Sequence, residues 1–181
     1  MEEIFDRNIF QRAATPCLKD AAKLLDSLGA NWWCEAGTCL GIIRDGDFIA
    51  HDSDIDIGLT DWERAEEIEA AFLKDGFIPI HTYGTYENGY EIALSKHGVK
   101  IDLFFFYHAG DKIWHSAWEG DRQLFLDFEA ACIEPTQRRD FLGFSVNLPC
   151  DTEAYLTARY GDWHIVKKDW NWNLDPLCLR K

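Results

Sequence analysis

The sequence predicts an α+β (α/β) fold, a small mixed β-sheet flanked by helices, as one domain over residues 1–181. Three observations predict it. Segments with apolar residues at helical spacing alternate with segments of period two, so helices and strands interleave along the chain. The 181 residues suffice for one domain with a real core and are too few for two comfortable ones. Apolar residues make up 47% and aromatics 14%, a globular composition without repeats, low-complexity tracts or Ser/Pro-rich linkers.

Taken in order, the opening stretch to Leu28 carries Ala21, Leu24, Leu25 and Leu28 at helical spacing, and Gly29 stops it. Pro16 marks where a second helix begins, because proline fits a first turn. "ANWWCEA" reads as a short buried strand and "TCLGIIRDG" as a short helix ending near Asp45-Gly46. "DIDIGL" alternates polar and apolar residues, the mark of a strand with two unlike faces. In "TDWERAEEIEAAFLKDG", Thr60 and Glu63 fit a capping box and Trp62, Ala65, Ile68 and Phe72 recur at helical spacing, with Gly76 as stop. "FIPIHTY", "YEIALS" and "VKIDLFFFY" are strands, the last two joined by "KHG" into an antiparallel hairpin. Beyond Tyr107 the pattern weakens: "FLGFSVNLP" reads as a strand, and "DTEAYLTARYG" as a helix capped by Asp151 and stopped by Gly161. The tail "DWNWNLDPLCLRK" is irregular and aromatic, packed back on the domain.

Charge narrows the partners. Lys plus Arg number 18 and Asp plus Glu 32, a net charge of −14 that lacks the basic footprint of a nucleic-acid binder. The acidic balance suits a small, cationic or sugar substrate. "MEEIFDRNIF" lacks a basic segment followed by an apolar one, and no apolar run approaches the roughly 20 residues of a membrane span. The expectation is therefore a cytoplasmic protein without a transmembrane segment. The six cysteines (Cys17, Cys34, Cys39, Cys132, Cys150, Cys178) form no C-x-x-C pair and read as reduced packing residues. The six histidines show no H-E-x-x-H spacing, which argues against zinc.

The stretch "AHDSDIDIGL" raises the functional question. Side chains at i and i+2 on a strand share a face, so Asp54 and Asp56 project together while Ile55 and Ile57 enter the core. Their Cβ atoms stand about 6.5–7 Å apart, a gap that one or two divalent ions can bridge. Without a cation the carboxylates raise each other's pKa and cost stability. Asp102, between Ile101 and Leu103 in "KIDLFFFY", supplies a third carboxylate if its strand lies beside the first. Hard oxygen ligands point to Mg²⁺ or Mn²⁺ and to phosphoryl chemistry. The plain alternative is a solvated strand face.

Upstream, "EAGTCLGIIRDGDFIAHDSDIDIG" places Gly37 and Thr38 between a strand and a short helix. Gly37 permits close approach of a phosphate, and Thr38 with nearby backbone N–H groups can bind its oxygens. An ordinary turn and cap would look the same. Together with the D-x-D and the later carboxylate, the arrangement resembles the nucleotidyltransferase-fold superfamily. G-T-x-L-G-x-x-R followed by F-I and D-x-D-I-D-I is similar to the LicD family and its fukutin relatives, as are "IDLFFFY" and "YLTARYGDWHIVKKDWNW". The resemblance runs from Trp32 to Trp172, weakest between Ile113 and Asp151.

This resemblance implies a metal-dependent transferase that moves phosphocholine or a polyol phosphate from a CDP-linked donor to a sugar or glycan hydroxyl. It implies Asp54, Asp56 and Asp102 as metal ligands, Gly37 and Thr38 as the phosphate-side turn, and Arg44 as the basic group for donor phosphate. His51 and Asp52 lie on the approach to the site, where they orient water or substrate or simply hold the loop. Relatives often carry three consecutive aspartates after a tryptophan; here the stretch is His51-Asp52-Ser53-Asp54. Ser53 shares the side of Ile55, so the missing carboxylate spares the metal, whereas His51 changes a donor or acceptor contact. The short chain suggests a minimal core without an added acceptor-binding or membrane domain.

Other residues read more plainly. Trp163, Trp170 and Trp172 are expected mainly in the core rather than stacked on a ring, and Lys167 and Lys168 form a surface pair. Phe104, Phe105, Phe106 and Tyr107 read as strand core, and Cys34 and Cys39 as packing. Two other functions stay open: nucleotidyl transfer to a small molecule such as an amino-sugar antibiotic, and a non-catalytic nucleotide-binding module. Nothing in the sequence sets the oligomeric state.

Overall fold

The computed structural model describes residues 7–167 and 170–180; Met1–Asp6, Lys168, Asp169 and Lys181 lie outside it. Helix α1 (Arg7–Leu28) buries Phe10, Ala14, Cys17, Leu18, Ala21 and Leu25, one apolar stripe at the helical period. It is continuous through Pro16, where the sequence suggested a new start. Pro16 is exposed, so the backbone carbonyl it leaves without a donor faces water.

Strand β1 (Trp32–Cys34) is fully buried, and helix α2 (Ala36–Leu40) follows, extended by a π-helical turn over Gly41–Asp45. Strand β2 (Asp54–Leu59) carries the alternating carboxylates. Next come a 3₁₀ turn (Trp62–Arg64) and helix α3 (Ala65–Lys74), whose Ala65, Ile68 and Phe72 are buried. The expected capping box does not form. Thr60 instead accepts a hydrogen bond from the Asn31 side-chain amide at 2.7 Å, and the Asp61 carboxylate accepts from the Asn31 backbone at 2.6 Å.

Strands β3 (Ile78–Thr85), β4 (Asn88–Lys96) and β5 (Val99–Phe105) complete a five-stranded sheet of order β1-β2-β5-β4-β3. Strands β4 and β5 form the expected antiparallel hairpin, whereas β2 and β5 run parallel. The sheet is therefore mixed, as the α+β reading requires. One face presents Ile55, Ile57, Ile101, Leu103, Ile92 and Leu94, all buried, toward α1, against which α3 packs in turn. At Gly58 a β-carbon would lie 2.4 Å from the Trp33 ring, so only glycine lets this indole pack flat on β2.

The opposite face is roofed by elements the sequence pattern left unread. Strands β6 (Tyr107–Ala109), β7 (Lys112–Glu119) and β8 (Arg122–Glu129) form a three-stranded meander. A short helix α4 (Ala130–Ile133) leads to a second hairpin, β9 (Gln137–Phe141) and β10 (Phe144–Leu148). The segment "FLGFSVNLP", expected as one strand, supplies β10 itself over Phe144–Leu148, but its first residues are the end of β9 and the bend of the hairpin, with Leu142 in the left-handed region at φ 46°. Helix α5 (Thr152–Tyr160) starts where expected, the Asp151 carboxylate accepting from the Ala154 N–H at 2.9 Å. The tail folds back through a bridge between Leu126 and Leu179, and Arg180 grips Asp127.

Candidate active site

The parallel register of β2 and β5 sets Asp54 opposite Lys100 and Asp56 opposite Asp102. Paired residues share a face, so the four polar side chains gather on the side away from the isoleucines. One oxygen from each of Asp54, Asp56 and Asp102 lies within 4.8 Å of the other two. Strand β4 adds Glu91, two residues from Ala93, which pairs with Asp102; β3 adds His81 opposite Ala93 and Tyr83 opposite Glu91. These residues floor a cavity of about 630 Å³, within the range of small-molecule sites.

The cavity is electrostatically uneven. Burial, reinforced by Asp54, Asp102 and Asp52, pushes the Asp56 carboxyl well above the usual range. Burial and Asp54 push Asp52 up to about 7. Burial raises Asp102 to about 6 despite the neighbouring Lys100. Glu91 is pushed up to about 8 by burial and by Asp102. Lys100 is the internal counter-charge: its Nζ donates to Asp102 Oδ2 at 2.5 Å and to Asp54 Oδ2 at 3.4 Å. Burial works against that ammonium, yet the two carboxylates hold its pKa above the ordinary value. Asp102 Oδ1 and Glu91 Oε2 are buried with no hydrogen-bond partner. Among the described residues Lys100 is the ammonium hydrogen-bonded to these acids, which keep lone pairs to spare, and the all-oxygen trio of Asp54, Asp56 and Asp102 fits a hard divalent cation.

The other expected residues are distributed as follows. Gly37 lines the cavity and its N–H donates to Asp56 Oδ2 at 3.2 Å; a β-carbon there would come to 3.0 Å from Asp52 Oδ2. Thr38 is buried and does not line the cavity, for its hydroxyl accepts from the Asp56 N–H at 2.9 Å. It stands behind Asp56 rather than facing a phosphate. Arg44, His51 and Asp52 all line the cavity, and Arg44 forks onto Asp45 at 2.8 Å. The tryptophans depart from the core expectation. Trp163 is buried, but Trp172 is 43% exposed, and Trp163, Trp170 and Trp172 all line the cavity. Phe104 to Tyr107 are buried as expected. Lys167 is exposed and donates to the Tyr160 carbonyl, while its expected partner Lys168 lies outside the described residues.

Sequence reasoning missed a second polar group behind the cavity wall. Glu35 is fully buried and accepts from Trp33 Nε1 at 2.6 Å, from the Tyr155 hydroxyl and from Arg159 Nη1 at 2.9 Å. Arg159 also donates to His115 Nε2 at 3.3 Å, which leaves His115 Nδ1–H to donate to the Ser116 carbonyl at 3.1 Å. Arg159 Nε has no partner, and the residue lines the cavity. The lone acid between "NWWC" and "AGT" was the available clue, since an unpaired carboxylate does not sit in such a run. Lys100 was equally readable, two residues before Asp102 on one strand.

The sequence model of the LicD/FKTN/FKRP nucleotidyltransferase domain matches residues 29–151. The chain belongs to the LicD family. It is 33% identical over 178 residues to ribitol-5-phosphate transferase FKTN of Mus musculus, covering 94% of this chain and 37% of that protein. To ribitol 5-phosphate transferase FKRP of Homo sapiens it is 26% identical over 168 residues, covering 83% of this chain and 33% of the relative. An uncharacterised protein of Rickettsia prowazekii (strain Madrid E) is 27% identical over 150 residues, 81% of this chain and 53% of that one. This LicD-family chain thus spans little more than a third of the length of the named transferases it matches. Among its described residues no helix is long and apolar enough to cross a membrane.

Proposed function

We propose that this chain is a metal-dependent transferase that moves a polyol phosphate from a CDP-linked donor to a sugar hydroxyl. The observation that carries the reading is the convergence of Asp54, Asp56 and Asp102 on one cavity floor in a chain of this family. Relatives named as ribitol-5-phosphate transferases favour a polyol phosphate over phosphocholine as the group moved. The six cysteines are free thiols, which supports a reducing, cytoplasmic location.

Asp54, Asp56 and Asp102 would hold Mg²⁺ or Mn²⁺, which supplies charge neutralisation at the donor pyrophosphate. Arg159, which lines the cavity and has no partner at Nε, binds a phosphate oxygen, and Arg44 adds positive charge to the cavity lining. The stacked rings of Tyr83 and Trp118, with centroids 5.6 Å apart and planes 13° apart, offer an aromatic platform to the acceptor sugar. The acceptor hydroxyl oxygen attacks the phosphorus of the polyol phosphate as the bond to departing CMP breaks. Asp52 lies in the cavity outside the trio and accepts the hydroxyl proton.

The test is incubation of the full chain with CDP-ribitol, CDP-glycerol or CDP-choline, a soluble glycan acceptor and Mg²⁺ or Mn²⁺. Expected is CMP release that requires both cation and acceptor, with the acceptor gaining the mass of the substituted phosphate. Transfer of the nucleotide itself would replace this reading with nucleotidyl transfer. Binding of a CDP donor with cation but no turnover of any kind would leave only the non-catalytic nucleotide-binding module.

A further inference from the structure

The carboxylate trio does not use all the donors on the cavity floor. We propose that His81, Glu91 and Asp102 form a second divalent-cation site, sharing Asp102 with the first. The registers explain how it arises. His81 on β3 pairs with Ala93 on β4, and Ala93 pairs with Asp102 on β5. Ala93 thus offers only a methyl between the two, and Glu91 stands two residues along the same face of β4. One donor atom from each of the three lies within 4.8 Å of the others, close enough for one cation to meet all three with small adjustments.

A second, independent observation points to a ligand. Glu91 and Asp102 are 8% and 3% exposed, and each holds one oxygen, Glu91 Oε2 and Asp102 Oδ1, with no partner at all. Buried carboxylate oxygens in this state are costly unless something positive arrives. Lys100 cannot serve both roles, because its Nζ is committed to Asp102 Oδ2 and Asp54 Oδ2.

The donor sets differ in kind. The Asp54–Asp56–Asp102 group is all oxygen and suits Mg²⁺, whereas one imidazole nitrogen with two carboxylates suits Mn²⁺ better. Tyr83 neighbours this second site on β3, so its cation lies on the side assigned to the acceptor. That use rests on the transferase reading; the existence of the site does not.

The experiment is titration of the full chain with MnCl₂, counting bound Mn²⁺ by its electron paramagnetic resonance signal and recording electron spin echo modulation. Wild-type protein is expected to bind two Mn²⁺ per chain and to show nitrogen modulation from one imidazole. His81→Gln is expected to lose one equivalent and the nitrogen signal, and Asp56→Asn to lose the other equivalent while keeping that signal. Absence of nitrogen modulation in the wild type, or its survival in His81→Gln, overturns the proposal whatever the variants' folding. If binding is lost only in His81→Gln and not in Asp56→Asn, this site stands and the cation of the transferase reading falls.

Discussion

Two groups of buried acid lie on either side of one cavity wall, and they are built in opposite ways. Glu35 accepts hydrogen bonds from an indole, a phenol and a guanidinium, so its charge is answered from within the protein. Asp54, Asp56, Asp102 and Glu91 share a single ammonium, and two of their oxygens are buried without any partner. The Glu35 carboxylate is fully answered, with only the Arg159 Nε beside it left free, whereas the second group of acids is open. Burial alone therefore does not separate structure from function; completeness of hydrogen bonding does.

The largest expected effect breaks the open group. Asp56→Asn should reduce transfer more than about 1,000-fold, because the cation loses a ligand at the reacting centre. The same variant should unfold no more easily than wild type in cation-free buffer, since it removes a repelled charge. An unchanged turnover number would break the contrast at its open end.

Next in size is the finished group. Arg159→Leu strands the Glu35 carboxylate and should cost about 3–5 kcal/mol, read by urea denaturation. A loss under about 1 kcal/mol would mean that Glu35 is as poorly served as the cavity acids.

A pH series sharpens the comparison further. Asp102, Asp52 and Glu91 titrate near about 6, 7 and 8 in the folded protein, above their ordinary values. An acid raised by folding binds more protons in the native state, so its stabilising effect is full at low pH and is lost as pH rises through the folded pKa. The melting temperature of cation-free protein should fall between about pH 5 and pH 8, and millimolar Mg²⁺ or Mn²⁺ should flatten the slope. A melting temperature that climbs over this interval without cation would contradict the open group.

The smallest effect concerns the aromatic platform. Tyr83→Ala should raise the acceptor KM by about 2- to 10-fold, the value of one ring contact, while leaving binding of the CDP donor unchanged. Equal weakening of donor and acceptor would move the platform to the wrong substrate.

Much of this was written in local patterns. Period-two alternation in "DIDIGL" and "KIDLFF" placed the aspartates on one face and the isoleucines on the other, and the observed registers agree. Helix α5 was readable because Asp151 and Gly161 mark its ends. What escaped was non-local. Strands β7 and β8 carry histidine, serine and several charges among their apolar positions, because His115 is buried against Arg159, Ser116 donates to the Gly89 carbonyl, and the charges at the strand ends are exposed. The β9–β10 bend hid behind Leu142, a residue that rarely adopts the left-handed conformation found there. Thr60 and Glu63 matched a capping pattern, but Asn31, far away in sequence, took the threonine hydroxyl. Glu35 and Arg159 sit 124 positions apart, and no window reading joins them.

The parallel pairing of β2 with β5 carries a last consequence. Residues 60–98, which carry α3 and the β3–β4 ribbon, separate β2 from β5 along the chain, and β5 lies between β2 and β4 in the sheet. Asp56 and Asp102 become neighbours only when that central strand arrives, the same event that closes the isoleucine layer beneath them. Cation capture is thereby tied to completion of the chain's own assembly, and a half-folded molecule has no grip on metal. A slip of one position along β5 would turn Asp102 into the apolar layer and Ile101 toward the solvent cavity, erasing the fold and its chemistry in a single step.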